Sequence, residues 1–373
     1  MTGRDVSDAP ASLDEVPCVT SDLPGTGGKI RICPEDFEVE EIPAYEPCGT
    51  GDHLFLWTEK RGRTTREVAL EIARRLGADA RDVGYAGLKD RNALTRQYFS
   101  VPASPSVLGK LLSLDNLPAD AGFRVLSSAR HGNKLKTGHL KGNRFRILIR
   151  DTVPDAPDRA LAILAELAAA GLPNAFGAQR FGRDGMNAAR GRALVLGEKT
   201  PETARLFRDR FLRRLCISAY QSLLFNRLLA RRMADGLFQR AVPGDLMKKL
   251  DTGGLFISED ADADTHRMET FGIAPTGPLF GHRMMCPAGD ALAREEAILA
   301  EEGIRLDSFR HLKGDAEGAR RPLRIPVTAS AAPGADEGTL RLDFALPKGS
   351  FATVLLREVM KTDAALPGLA DED

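Results

Sequence analysis

The sequence predicts an α+β protein built on a mixed, mainly antiparallel sheet with flanking helices. Stretches that alternate apolar and polar residues fall at 30–42, 53–59, 95–101 and 121–150 and return at 339–347, the period of half-buried strands. Helical patterns occupy 64–76, 156–170 and 211–234. At 373 residues the chain is long enough for two or three domains with a substantial core.

Residues 1–28 are rich in Asp, Pro, Ser and Gly and offer little to bury, so a loosely held arm is expected there. GTGGK at 25–29 lacks the first glycine and the closing Ser or Thr of a phosphate loop and is set aside. A strand, a PED turn and a second strand follow over 30–42, with Phe37, Val39 and Glu41 on one face. A carboxylate on an apolar face needs a partner, and Arg31 is the nearby candidate. The strand 53–59 carries Trp57. In the next helix Thr64 and Glu67 form a capping box, Val68, Ile72 and Leu76 share a buried stripe, and Gly77 ends it.

The chain then reaches VGYAGLKDRNALTRQYFSV at 83–101, where a short apolar run closed by Gly87 precedes an alternating strand. Asp90 is thereby placed in a tight connection between strands. Lys89 and Arg91 flank it and favour its ionised form. A charged Asp on a loop held by two strands has the properties of a nucleophile. Lys-Asp-Arg is equally the composition of a turn whose Asp bonds its own backbone.

Beyond a Pro- and Ser-rich connection at 102–106 lies a basic, hairpin-like region. In its last strand Asn143, Phe145, Ile147 and Ile149 share one face, and Arg144, Arg146 and Arg150 the other. An amide and an aromatic suit a base edge and a base face, and the cations suit phosphates. In the 211–234 helix Leu215, Ala219 and Leu223 form one stripe, and packing of a local core is the expected use of its Tyr and Gln. Residues 320–327 and 331–338 read as linker and turn. Leu340, Leu342 and Phe344 are in phase in the strand that follows, and 348–351 lead into a helix to about residue 361.

The net charge is zero, from 52 basic and 52 acidic residues, which argues against a nucleic-acid binder. The distribution argues for one: 121–150 holds eight Lys or Arg and no acid, and 180–240 holds fourteen basic against five acidic residues. Five cysteines without C-x-x-C spacing suggest neither a zinc site nor a disulfide framework, and the reducing cytosol is expected. No apolar run approaches the roughly 20 residues of a membrane span, and MTGRDVSDAP lacks the core of a signal peptide. A cytoplasmic protein without a membrane anchor is the expectation.

GLKDRNALTRQ resembles the signature of the TruD family of tRNA pseudouridine synthases. The similarity returns at PEDFEVEE (34–41), HLKGNRF (139–145), PNAFGAQRFG (173–182) and LPKGSFATVLLRE (346–358). The resemblance implies that Asp90 is catalytic, that Arg31 lies beside it, and that Phe37, Asn143, Phe145 and Phe351 contact the substrate. It departs from the family at Ala175, where a second aromatic is usual. It further implies a pseudouridine-synthase-type catalytic domain at 29–168 and 319–373, with a TRUD-specific α/β domain inserted at 169–318 and covering the catalytic cleft. tRNA would be the substrate, with uridine 13 in the D-arm region as target. No metal or other cofactor and no obligatory protein partner are expected. Two other readings are a non-catalytic RNA-binding protein on the same basic face, and a glycosidase with Glu41 as the second acid.

Overall fold

The computed structural model describes residues 16–118 and 120–362. In chain order the elements begin with β1 (Gly27–Lys29), β2 (Phe37–Pro43), β3 (His53–Lys60), α1 (Thr65–Leu76), β4 (Gly84–Tyr85), β5 (Leu94–Pro102) and α2 (Pro105–Leu108). There follow β6 (Phe123–His131), β7 (Leu140–Thr152), α3 (Ala156–Ala170), β8 (Leu172–Pro173), α4 (Met186–Leu196), α5 (Pro201–Arg208) and α6 (Arg210–Ala234). The chain continues through β9 (Leu246–Lys249), β10 (Leu255–Ile257), α7 (Ala261–Glu269), β11 (Ile273–Leu279) and α8 (Gly289–Glu301). It closes with β12 (Ala319–Pro322), β13 (Arg324–Ile325), β14 (Thr328–Pro333), β15 (Leu340–Pro347) and α9 (Ala352–Met360). Among the described residues no helix is long and apolar enough to cross a membrane.

The described residues form two compact units, one of 24–164, 328–352 and 359–362, the other of 16–23, 165–327 and 353–358. The first is built on a nine-stranded sheet in the order β14-β15-β7-β2-β5-β3-β6, with β1 added to β7 and β4 to β5. Only the β2–β5 pair is parallel. This is the mixed, mainly antiparallel α+β arrangement that the strand periods predict. Helix α1 starts and stops where its sequence says: Thr64 accepts from the Glu67 amide, the Glu67 carboxylate accepts from the Thr64 amide, and Gly77 ends the helix at φ 67°. Val68, Ile72 and Leu76 are buried against Leu54, Leu56 and Phe99 of the sheet.

In the second unit α6 is the core element, buried from Cys216 through Phe225 on most positions. Gly191 lets α4 approach it so closely that a Cβ would lie 2.1 Å from the Cys216 carbonyl. Tyr220 and Gln221 are core, as expected: the Tyr220 hydroxyl donates to Glu302 and the Gln221 amide to the Phe280 carbonyl. A four-stranded sheet, β10-β9-β11-β12, and the pair β8–β13 complete this unit.

Three local expectations are corrected. Strands β6 and β7 are not a hairpin: β6 pairs with β3 at the sheet edge, while β7 lies between β15 and β2. The stretches 320–327 and 331–338, read as linker and turn, contain most of β12, all of β13 and the end of β14. TASAAP in β14 has no apolar alternation, and its strand conformation comes from six register pairs with β15. Of the arm expected over 1–28, residues 1–15 lie outside the described ones, and 16–28 are fastened. Val16 is buried, the Val19 and Thr20 amides donate to Glu358, and the Thr26 amide donates to the Val359 carbonyl.

The close pairing of β7 with β15 demands a glycine at 142, where a Cβ would meet the Leu346 carbonyl at 2.2 Å. Gly142→Ala should lower stability by about 1–3 kcal/mol, read as a fall in the thermal midpoint. Gly132→Ala, with nothing within 4 Å of the added methyl, should leave it unchanged.

Candidate active site

Asp90 lies in the connection between β4 and β5, and that loop is tied down by buried polar side chains. Lys60, at the end of β3 and 1% exposed, donates to the carbonyls of Arg63, Lys89 and Asp90 at 2.9, 3.0 and 2.7 Å. Thr65, at the start of α1, accepts from the Lys89 amide at 2.9 Å and donates to Gln97 at 3.0 Å. Gln97 in turn donates to the Gly87 carbonyl at 3.0 Å. A satisfied buried network of this kind permits one loop conformation, because any other leaves desolvated carbonyls unpaired. Nothing in the spacing of Lys60, Thr65 or Gln97 marks them in the sequence, since their acceptors lie on other elements.

The cation on Asp90 is Arg31, whose Nη2 donates to Asp90 Oδ2 at 2.5 Å. The Arg31 side chain is 4% exposed and that of Asp90 29%. Arg31 has φ 61°, a left-handed conformation that costs a non-glycine residue about 1 kcal/mol. Its guanidinium carbon sits 4.1 Å from the centroid of the Phe37 ring. The turn after it is fastened to β7 by Asp36, which accepts from Arg150 at 2.8 and 3.0 Å and from the Cys33 amide at 3.1 Å. Burial pushes the Asp36 carboxyl up, but the Arg150 and Cys33 hydrogen bonds outweigh it and hold the group below its ordinary value.

The flanking cations expected at Asp90 have other partners. Lys89 pairs with Glu41 at 3.0 Å, both side chains essentially sealed from solvent, and Arg91 donates to the Gly62 carbonyl. Glu41 therefore finds its partner in Lys89, not in Arg31. Burial raises the Glu41 pKa, against the pull of Lys89. A carboxylate so enclosed is no second acid for sugar chemistry, which removes the glycosidase reading.

Phe37 and Phe145 meet edge to face at 6.3 Å, and Phe145 stacks on Phe344 at 5.0 Å. At 2% and 7% exposure they are a floor under Arg31, not an open aromatic wall. Asn143, half-buried, faces Glu41 across β2 and Leu346 across β15. Its Oδ1 is buried and has no hydrogen-bond partner. Phe351 is half-buried just past the turn after β15, where the Lys348 amide donates to the Lys141 carbonyl, two residues from Asn143. Ile32, next to Arg31 in the chain, and Leu88, two residues before Asp90, are 61% and 56% exposed, and the sequence did not single them out.

The cations on the other face of β7 are not aimed at this site. Arg144 pairs with Glu40, Arg146 with Glu38 and Asp343, and Arg150 with Asp36. They pair with acids across strands on that face, where Arg144 and Arg146 stay about half exposed.

A profile of the family described as "tRNA pseudouridine synthase D (TruD)" matches residues 15–207 and 192–359. A curated relative from Anaeromyxobacter sp., named tRNA pseudouridine synthase D, is 53% identical over 361 residues, 97% of this chain and all of its own. A relative of the same name from Thermus thermophilus is 47% identical over 94% of both chains. A crystal structure from Methanosarcina mazei, assigned to tRNA pseudouridine synthase D (TruD), superposes with a TM-score of 0.74 at 26% identity, over 94% of this chain and 98% of that one.

Two substitutions test the scaffold. Lys60→Met should cost about 1–3 kcal/mol and speed amide exchange through 87–91, because three carbonyls lose their donor. Asp36 carries a depressed pKa, so its contribution to stability is present above the ordinary value of 3.8 and is lost as pH falls through the folded value. The thermal midpoint of Asp36→Asn should therefore lie below that of the parent at neutral pH, and the gap should close below pH 3.8.

Proposed function

This chain belongs to the TruD family of tRNA pseudouridine synthases, and from that premise we propose that Asp90 is the group that attacks the nucleoside. The reaction breaks the bond between uracil N1 and ribose C1′, turns the base and rejoins it through C5, which loses its proton while N1 gains one. Atoms and electrons balance within the nucleoside, so the demand on the protein is to hold the sugar while the base turns. A stacked uridine is out of reach, and flipping it out costs a few kcal/mol that contacts to the RNA must offset.

The observation that carries this reading is the 2.5 Å contact between Arg31 and Asp90 on a part-exposed loop. Arg31 fixes Oδ2 through its Nη2 donor. Oδ1 has no hydrogen-bond partner among the described residues and is the atom left to act, as nucleophile at C1′ or as base at C2′. Phe37 and Phe145 serve by supporting Arg31. The base would lie against Leu88, Ile32 and Phe351, and the unpartnered Oδ1 of Asn143 suits the N3–H of uracil. Family resemblance extends the proposal to uridine 13 in the D-arm region. Mapping pseudouridine in tRNA from cells lacking the gene tests the position.

Asp90→Asn keeps the shape of the side chain and loses its charge. It should retain tRNA affinity within a few fold and lose roughly a thousandfold or more in turnover. Turnover at the parent rate would remove Asp90 from the mechanism.

A further inference from the structure

The PNAFGAQRFG stretch builds a second cluster of cations that the chemistry at Asp90 does not use. Arg321, on β12, lies over Phe176 with its guanidinium carbon 4.2 Å from the ring centroid, and over Phe225 at 5.6 Å. Its Nε donates to the Asn174 carbonyl at 3.0 Å and its Nη2 to Asn174 Oδ1 at 2.5 Å. Arg180 approaches the same Phe176 ring at 5.8 Å, and its Nε donates to Ser222 Oγ at 3.4 Å, the outer limit of a hydrogen bond. Both side chains are only partly exposed. Among the described residues neither guanidinium meets a carboxylate, and Arg180 Nη1 and Nη2 and Arg321 Nη1 have no acceptor.

That is unusual among the arginines of 165–327 that are not exposed to solvent. Arg213, Arg227, Arg232 and Arg320 each hold an acid, Asp315, Glu302, Asp245 and Glu295 respectively. Arg324 also lacks one, but it is 2% exposed, lies over Phe271 at 4.6 Å and is closed to any ligand. Two partly desolvated charges of one sign over a single ring repel each other, and burial together with Arg180 pulls the Arg321 pKa down to about 9. An anion placed between the free Nη groups would relieve both costs.

We propose that Arg180 and Arg321 form a phosphate site that takes a phosphodiester of the tRNA backbone, with Phe176 as the ring that both guanidiniums approach. Guanidinium forks match phosphate oxygens in geometry and form short charge-assisted bonds. The inference rests on tRNA as the substrate, and its test is a binding measurement separate from turnover. Equilibrium binding of tRNA to the full chain would be followed across a salt series for the parent, Arg180→Gln and Arg180→Lys, and inorganic sulfate would be titrated against the thermal midpoint of each.

Arg180→Gln should weaken tRNA binding roughly ten- to hundredfold and reduce the slope of log affinity against log salt by about one. Arg180→Lys, which keeps the charge, should retain the parent slope. Sulfate should raise the midpoint of the parent more than that of Arg180→Gln. Parent affinity and slope in Arg180→Gln would overturn the site and leave Arg180 as packing. A parent protein that binds tRNA and converts no uridine would instead count against the proposed chemistry at Asp90, since these binding readouts do not depend on turnover.

Discussion

The rest of the first unit depends on keeping two charged groups, Arg31 and Asp90, at hydrogen-bond distance although they come from separate turns. Each turn is held from outside itself. The Arg31 turn is bolted to β7 through Asp36 and Arg150, and its left-handed residue is steadied by the face of Phe37. The Asp90 loop is held by Lys60, Thr65 and Gln97, with Lys89 anchored on Glu41. Buried polar groups whose partners are fixed specify one geometry, which is what the reaction proposed for Asp90 would need more than added stability.

Charge in this protein is informative where it is unmatched, not where it is abundant. The run 121–150 has eight cations and no acid, yet Arg124, Arg144, Arg146 and Arg150 meet Glu59, Glu40, Glu38, Asp343 and Asp36 brought in by neighbouring strands. Those ion pairs cross the face of the sheet away from Asn143 and Phe145. In the second unit, Arg180 and Arg321 are fewer in number but have no acid at all among the described residues. For a protein of zero net charge that acts on a polyanion, such local excess is the physical requirement.

Burial divides the aromatic residues in a similar way. Phe37 and Phe145 stand out in the sequence as members of motifs, but the sheet places them beneath the ion pair at 2% and 7% exposure. Leu88 and Ile32, which no pattern marks, are exposed apolar residues close in the chain to Asp90 and Arg31. Membership in a motif does not say whether a ring is buried or exposed, and only the packed structure decides that.

What the sequence determined by itself is everything local. The capping box and stop of α1, the period-two faces of β2, β7 and β15, the tight connection around Asp90 and the motifs of the family are all set by residues within a few positions of one another. Tertiary structure decided the partners. Lys89 rather than Arg31 for Glu41, β3 rather than β7 for β6, and strand rather than turn for 331–333 all follow from pairings between residues 40 or more positions apart or on different strands, whereas the family motifs already implied Arg31 beside Asp90. The physical reason is that a hydrogen bond or ion pair acts over about 3 Å of space regardless of separation along the chain, so a side chain's chemistry is legible in sequence while the group that answers it is not.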